Sequence, residues 1–279
     1  ILPFWQSLTL KEKVAQTLMV YMPSASYIKK HQFGGVLIMK PHLKDTLHLK
    51  EKLNLANESL KIPLLTAIDQ EGGKVNRLQA ISPEWKNLPS AKEMRIMADD
   101  SVYNLAKLIG NALHHYGINL NLAPVLDPPK DSKGKPSFIE VSNRSFGEFE
   151  TAVPKIRAFV QGMKESKVLS TSKHFPGYDS WTNSDHQIAF STSSKDVILK
   201  NVELFKEFAD EIPVIMLSSV RFVRLSNTPA VFNPKITAMA REISPYTVLL
   251  TDDLWGVSLR AWISGTDKVK GKNYPSKDF

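Results

Sequence analysis

Seven short apolar runs punctuate the chain: Thr17–Tyr21 (TLMVY), Gly35–Met39 (GVLIM), Leu64–Ile68 (LLTAI), Leu120–Leu126 (LNLAPVL), Val168–Ser172 (VLSTS), Val214–Ser218 (VIMLS) and Thr247–Leu250 (TVLL). Most are unbroken rather than alternating, the pattern of parallel strands covered on both faces. Between them, apolar residues return at helical spacing. Val102, Leu105, Ala106, Ile109, Ala112 and Leu113 form one such set, stopped by Gly117; Val153, Ile156, Phe159, Val160 and Met163 form another; Ile198, Val202, Phe205 and Ala209 a third. Strand–helix units of this length predict right-handed crossovers and a parallel sheet.

Polar residues cluster just after the strands. Asp69-Gln70-Glu71-Gly72-Gly73 follows LLTAI, Asp127 follows LAPVL, Lys173-His174 follows VLSTS, Ser218-Ser219 and Arg221 follow VIML, and Asp252-Asp253 follows TVLL. In a barrel of parallel strands all five groups converge on the face at the strands' C-terminal ends. In an open doubly wound sheet they would spread along an edge. The convergence favours an α/β fold of the TIM-type (β/α)8 barrel class, one domain over residues 1–279. Only seven strands are visible, so the last βα unit is missing from the pattern, and an unfilled gap would expose sheet edge and apolar surface.

Composition narrows the chemistry. The 279 residues are 42% hydrophobic, 9% aromatic and free of cysteine. Disulfides, thiolate metal sites and a cysteine nucleophile are therefore excluded. A cysteine-free chain fits an exported protein better than a cytosolic one, and its first residue is Ile1. No apolar run reaches the roughly 18 residues of a membrane span. The net charge of +8 comes from scattered lysines, whose densest run, Lys268–Lys277, reads as a solvated loop. That scatter argues against a nucleic-acid partner. No His/carboxylate spacing typical of a metal site is present, and no cofactor is implied.

The most informative stretch is Lys173-His174-Phe175-Pro176-Gly177-Tyr178, followed by Asp185-His186. Titratable residues at the exit of an apolar strand are hard to explain as core. With DQEGG (Asp69–Gly73), SNRSFG (Ser142–Gly147) and TDDL (Thr251–Leu254), in that order and spacing, this KHFPG motif resembles family 3 glycoside hydrolases, most of all the bacterial β-N-acetylglucosaminidases. The resemblance runs from about Leu8 to Leu254.

The resemblance implies a role for each matching position. Asp252 falls on the family's nucleophile, the carboxylate that forms a covalent glycosyl intermediate in retaining enzymes; on spacing alone it could equally cap a helix, although Asp253 is the better cap. His186 falls on the general acid/base, carried on a mobile loop. The aspartate that normally orients this histidine is replaced by Ser184, with Asp185 in the intervening place. A serine brings no negative charge to an imidazolium, and Asp185 could substitute only with a rearranged loop, since adjacent side chains diverge. Asp69, Arg144, Lys173 and His174 fall on sugar-binding positions, and Arg77 on a second arginine that orders the pocket. Glu71 and Asp127 read as structural. Tyr178-Asp179 replaces the family's usual His-Gly, and Ser219 and Arg221 replace its Ala-His after the sixth strand. The implied activity is exo-hydrolysis of terminal β-linked N-acetylglucosamine, with peptidoglycan-derived saccharides as substrate. Alternatives of another kind are a saccharide-binding barrel with weak catalysis, a β-glucosidase, and phosphorolysis, which an imidazole acid/base would permit because it does not repel an anionic acceptor.

Overall fold

The computed structural model describes residues 4–265; the lysine-rich run 268–277 lies outside them. All seven expected strands form, here β1 (Met19–Tyr21), β2 (Gly35–Ile38), β3 (Leu65–Ile68), β4 (Leu120–Asn121), β5 (Leu169–Phe175), β7 (Val214–Leu217) and β9 (Val248–Thr251). Two further two-residue strands, β6 (Phe190–Ser191) and β8 (Arg221–Phe222), pair with each other in a separate parallel ladder. The main sheet is parallel throughout, in the order β1-β2-β3-β4-β5-β7-β9. This is a (β/α) barrel without its eighth strand among the described residues.

Two of the changes in strand length bear on the site. β4 was expected over Leu120–Leu126 but ladders only at Leu120–Asn121, because Pro124 has no N–H to donate. One isolated bridge, Val125 to Lys173, continues the contact. β5 instead runs through Lys173 and His174 to Phe175, with an irregularity in register between Lys173 and Phe175. The Lys-His pair therefore sits on rigid strand.

Helices cover the outside. The first two predicted sets become Asp99–His115 and Phe149–Glu165, which bury Val102, Ala106, Ile109 and Leu113, and Ile156, Phe159, Val160 and Met163. They approach closely at Gly162, where a Cβ would stand 2.5 Å from the Tyr103 carbonyl oxygen. The third becomes Lys195–Glu207. Helices Thr46–Asn57 and Pro234–Ile243 were not resolved by periodicity. The stretch after Asp253 forms a further helix, Val257–Ile263, with Gly256 and not Asp253 as its N-cap residue. No helix among the described residues is long and apolar enough to cross a membrane.

The apolar core divides in two. A large cluster lies between sheet and helices. A small one, Ala67, Leu120, Leu122, Val214 and Met216 with Met19, Leu37 and Leu250 against it, fills the inside of the curl. Side chains alternate along a strand, so Asp69, two residues beyond Ala67, and Asp252, two beyond Leu250, stand on the inner face above this plug. Where β1 and β9 fail to meet, Leu18, Tyr21 and Val248 are 44%, 49% and 49% exposed. Across that seam the Tyr21 hydroxyl donates to Asp253 Oδ2 at 2.7 Å.

Candidate active site

A cavity of about 720 Å³ opens at the C-terminal ends of the strands. Asp69, Arg77, Arg144, Lys173, His174, Ser184, Asp185 and Asp252 all line it, so eight of the nine expected site residues are brought together. The ninth, His186, is exposed and is not part of the lining.

One wall is an ion-pair network. Lys173, 2% exposed, places Nζ 2.9 Å from Asp69 Oδ1 and 2.6 Å from Glu71 Oε1. Arg144 grips Glu71 with a two-pronged pair, Nε to Oε2 and Nη2 to Oε1, both 2.8 Å. Arg77 stands 3.7 Å from Asp69 Oδ2. Burial by itself would raise the Glu71 carboxyl, but the charges of Arg144 and Lys173 overcome it and hold the group well below the usual carboxylate range. Glu71 is thus the anchor that fixes both cations. Its position beside Gly72-Gly73 was the only sequence signal of this.

The loop carrying Arg77 is held by Gln70, which the sequence left without a role. Its Oε1 accepts from the backbone N–H of Arg77 at 2.7 Å and of Leu78 at 3.0 Å, and its Nε2 donates to Asn76 Oδ1 at 3.1 Å. Gly72 permits the turn: at φ +93° a Cβ would lie 2.1 Å from the Pro89 carbonyl oxygen.

Asp127 anchors the next strand end. Its Oδ1 accepts from the backbone N–H of His174 at 2.8 Å and of Tyr178 at 2.7 Å. Its Oδ2 accepts from His174 Nδ1 at 2.6 Å. This fixes the imidazole's orientation and leaves Nε2 as the nitrogen available to a ligand.

The opposite wall is acidic. Asp252 follows β9 directly, its backbone N–H bonded to the Leu217 carbonyl at 3.1 Å. Its Oδ1 accepts from the Asp253 N–H at 2.8 Å and its Oδ2 from the Ser219 hydroxyl. Ser219, noted in the sequence only as a departure, is therefore a direct partner of the carboxylate. Asp253 accepts from Tyr21 and, through Oδ1, from the Trp255 N–H at 2.9 Å, bracing the turn into the last helix.

The loop from Tyr178 to Ser193 is tied at several points. The Tyr178 hydroxyl donates to the Thr182 carbonyl at 2.5 Å and accepts from the Ser184 N–H at 2.7 Å. Buried Asp179 accepts from the Ser193 hydroxyl. The Ser184 carbonyl accepts from Ser258 N–H at 2.9 Å, and the Asp185 carbonyl from Val257 N–H at 3.4 Å. Tyr178-Asp179, where a His-Gly pair was expected, rebuilds the loop around a phenol and a carboxyl. Tyr178→Phe deletes a hydroxyl with two partners and leaves the Ser184 N–H without its acceptor. It is expected to cost about 1–3 kcal/mol, read as a shift in the denaturation midpoint. Unchanged stability would mean the hydroxyl does not hold the loop.

Among the described residues, no group of three His, Asp or Glu side chains is placed to hold a metal ion.

The model of the glycosyl hydrolase family 3 N terminal domain matches residues 9–253. The chain belongs to that family. Over 238 residues it is 28% identical to a β-hexosaminidase of Pseudomonas aeruginosa, a match covering 81% of this chain and 68% of that enzyme. The fold is similar to a β-N-acetylhexosaminidase from Beutenbergia cavernae, with TM-score 0.77 and 26% identity over 92% of this chain and 82% of that one. It is also similar to a family 3 β-N-acetylglucosaminidase from Paenibacillus, with TM-score 0.79 and 26% identity, covering 92% of this chain and 51% of that one. The seven-stranded curl is thus a family 3 barrel that lacks its final strand among the described residues.

Proposed function

We propose that this family 3 chain is an exo-acting, retaining β-N-acetylglucosaminidase, acting on terminal β-linked N-acetylglucosamine of peptidoglycan-derived saccharides. The observation that carries the reading is the position of Asp252 in a cavity whose far wall presents fixed hydrogen-bonding groups. Asp69, Arg144, Lys173 and His174 offer both donors and acceptors at strand ends, suited to a ring of sugar hydroxyls. Asp252 supplies a carboxylate to attack the anomeric carbon, the requirement of a retaining mechanism. The names of the Pseudomonas and Paenibacillus relatives support the acetamido sugar. Carboxylates on the Asp252 wall favour a transition state that carries positive charge.

The test is turnover of paired aryl β-glycosides by the purified chain, with product anomers followed by NMR. The expected result is faster cleavage of the N-acetylglucosaminide than of the glucoside, with the β-anomer released first and no rate gain from added phosphate. A preference for the glucoside, an α-anomer as first product, or saturable sugar binding without turnover would overturn the reading.

A further inference from the structure

Five carboxylates line the cavity: Asp69, Glu71, Asp185, Asp252 and Asp253. Four of them are committed. Asp69 and Glu71 are paired with Lys173, Arg77 and Arg144; Asp252 accepts from Ser219 and the Asp253 N–H; Asp253 accepts from Tyr21 and the Trp255 N–H. Among the described residues, no donor reaches the Asp185 carboxylate. Its Oδ1 lies over the turn that follows Asp252, 3.5 Å from where a Cβ on Gly256 would stand. The backbone of Ser184 and Asp185 is pinned to the N–H groups of Ser258 and Val257. Both side chains are exposed to solvent, but Asp185 lines the cavity and His186 does not.

We infer that Asp185, and not His186, is the general acid/base of the reaction proposed above, on which this assignment rests. In the first step a carboxylate oxygen of Asp252 bonds to the anomeric carbon, the glycosidic C–O bond breaks, and the departing oxygen takes the proton of the Asp185 carboxyl. In the second, the Asp185 carboxylate takes a proton from water, the water oxygen bonds to the anomeric carbon, and the Asp252 ester bond breaks. Both carboxyls return to their starting states. The environment suits the role: loss of hydration, and next the charge of Asp252, raise the Asp185 carboxyl above its ordinary value, as a proton donor beside an ionised partner requires.

The experiment compares two substrates in Asp185→Asn and His186→Asn. A dinitrophenyl β-N-acetylglucosaminide releases a phenolate that needs no proton; N,N′-diacetylchitobiose releases an alcohol that does. Asp185→Asn is expected to lose about 10²- to 10⁴-fold on chitobiose, the usual scale for a general acid, and far less on the dinitrophenyl glycoside in the step that cleaves it. His186→Asn is expected to keep the substrate ratio of the unaltered chain. Sodium azide is expected to accelerate Asp185→Ala and give the β-glycosyl azide, because an anion needs no general base and the repelling carboxylate is gone. Equal losses on both substrates for Asp185→Asn, or the split and the azide rescue at His186, would overturn the assignment while leaving the glycosidase reading intact. No turnover of either substrate by the unaltered chain would overturn both.

Discussion

Asp252→Asn is expected to lower kcat on an aryl β-N-acetylglucosaminide by roughly 10⁴-fold or more, the scale on which loss of a catalytic nucleophile acts, while sugar binding persists. The binding wall explains the split. Asp69, Glu71, Arg144 and Lys173 hold one another along one wall of the cavity, and none of these ion pairs involves Asp252. The substitution should also leave the fold intact. Asn fills the same volume, can still accept from the Asp253 N–H, and removes a negative charge that faces Asp185 and Asp253. Steady-state rates with isothermal titration of N-acetylglucosamine check the prediction, and kcat reduced by less than tenfold would assign the chemistry elsewhere.

Lys173→Met is expected to destabilise the protein by about 3–5 kcal/mol at neutral pH, as breaking a buried charge cluster does, and to abolish saturable sugar binding. Methionine keeps most of the side chain's shape, so the cost is electrostatic. Asp69 would retain only Arg77 at 3.7 Å, and Glu71 only Arg144. The pH dependence follows from Glu71. Burial alone would raise its carboxyl; Arg144 and Lys173 hold it below the ordinary range. A depressed carboxyl contributes stability above its unfolded value and loses it as pH falls through the folded one. Removing Lys173 raises that folded value, so the variant's deficit should be greatest near pH 7 and shrink by about pH 4 as Glu71 protonates earlier in the variant. Denaturant unfolding at both pH values measures this, and equal deficits would show that packing, not charge, sets the cost.

The strands were legible because a parallel strand buried on both faces leaves an unbroken apolar run, and the chemistry was legible because barrel strands end in one place. Asp69 and Asp252 follow Ala67 and Leu250 of the inner plug at a spacing of two, so the strand period alone directs them to one cavity. What spacing does not encode is the direction of side chains in irregular backbone. The loop holding Ser184, Asp185 and His186 is set by hydrogen bonds to Tyr178 and to the N–H groups of Val257 and Ser258. Those partners lie 6 and about 70 positions away in sequence. The Ser219 hydroxyl meets Asp252 across 33 positions for the same reason. β6 and β8, two residues each, are too short to produce any period.

The seam beside β9 has a consequence for the aspartate that follows it. In a parallel ladder successive amides point to opposite neighbours. Val248 and Asp252 direct theirs to β7, at the carbonyls of Pro213 and Leu217, so those of Leu249 and Thr251 point away from it, toward β1. Asp252, the proposed nucleophile, thus hangs from a ribbon fastened along one margin, and its steadiness depends on the Ser219 hydroxyl and the Tyr21–Asp253 clasp as much as on the sheet. Any extended segment laid along that margin, which no strand among the described residues covers, would stiffen the Asp252 carboxylate through the backbone itself, without entering the cavity.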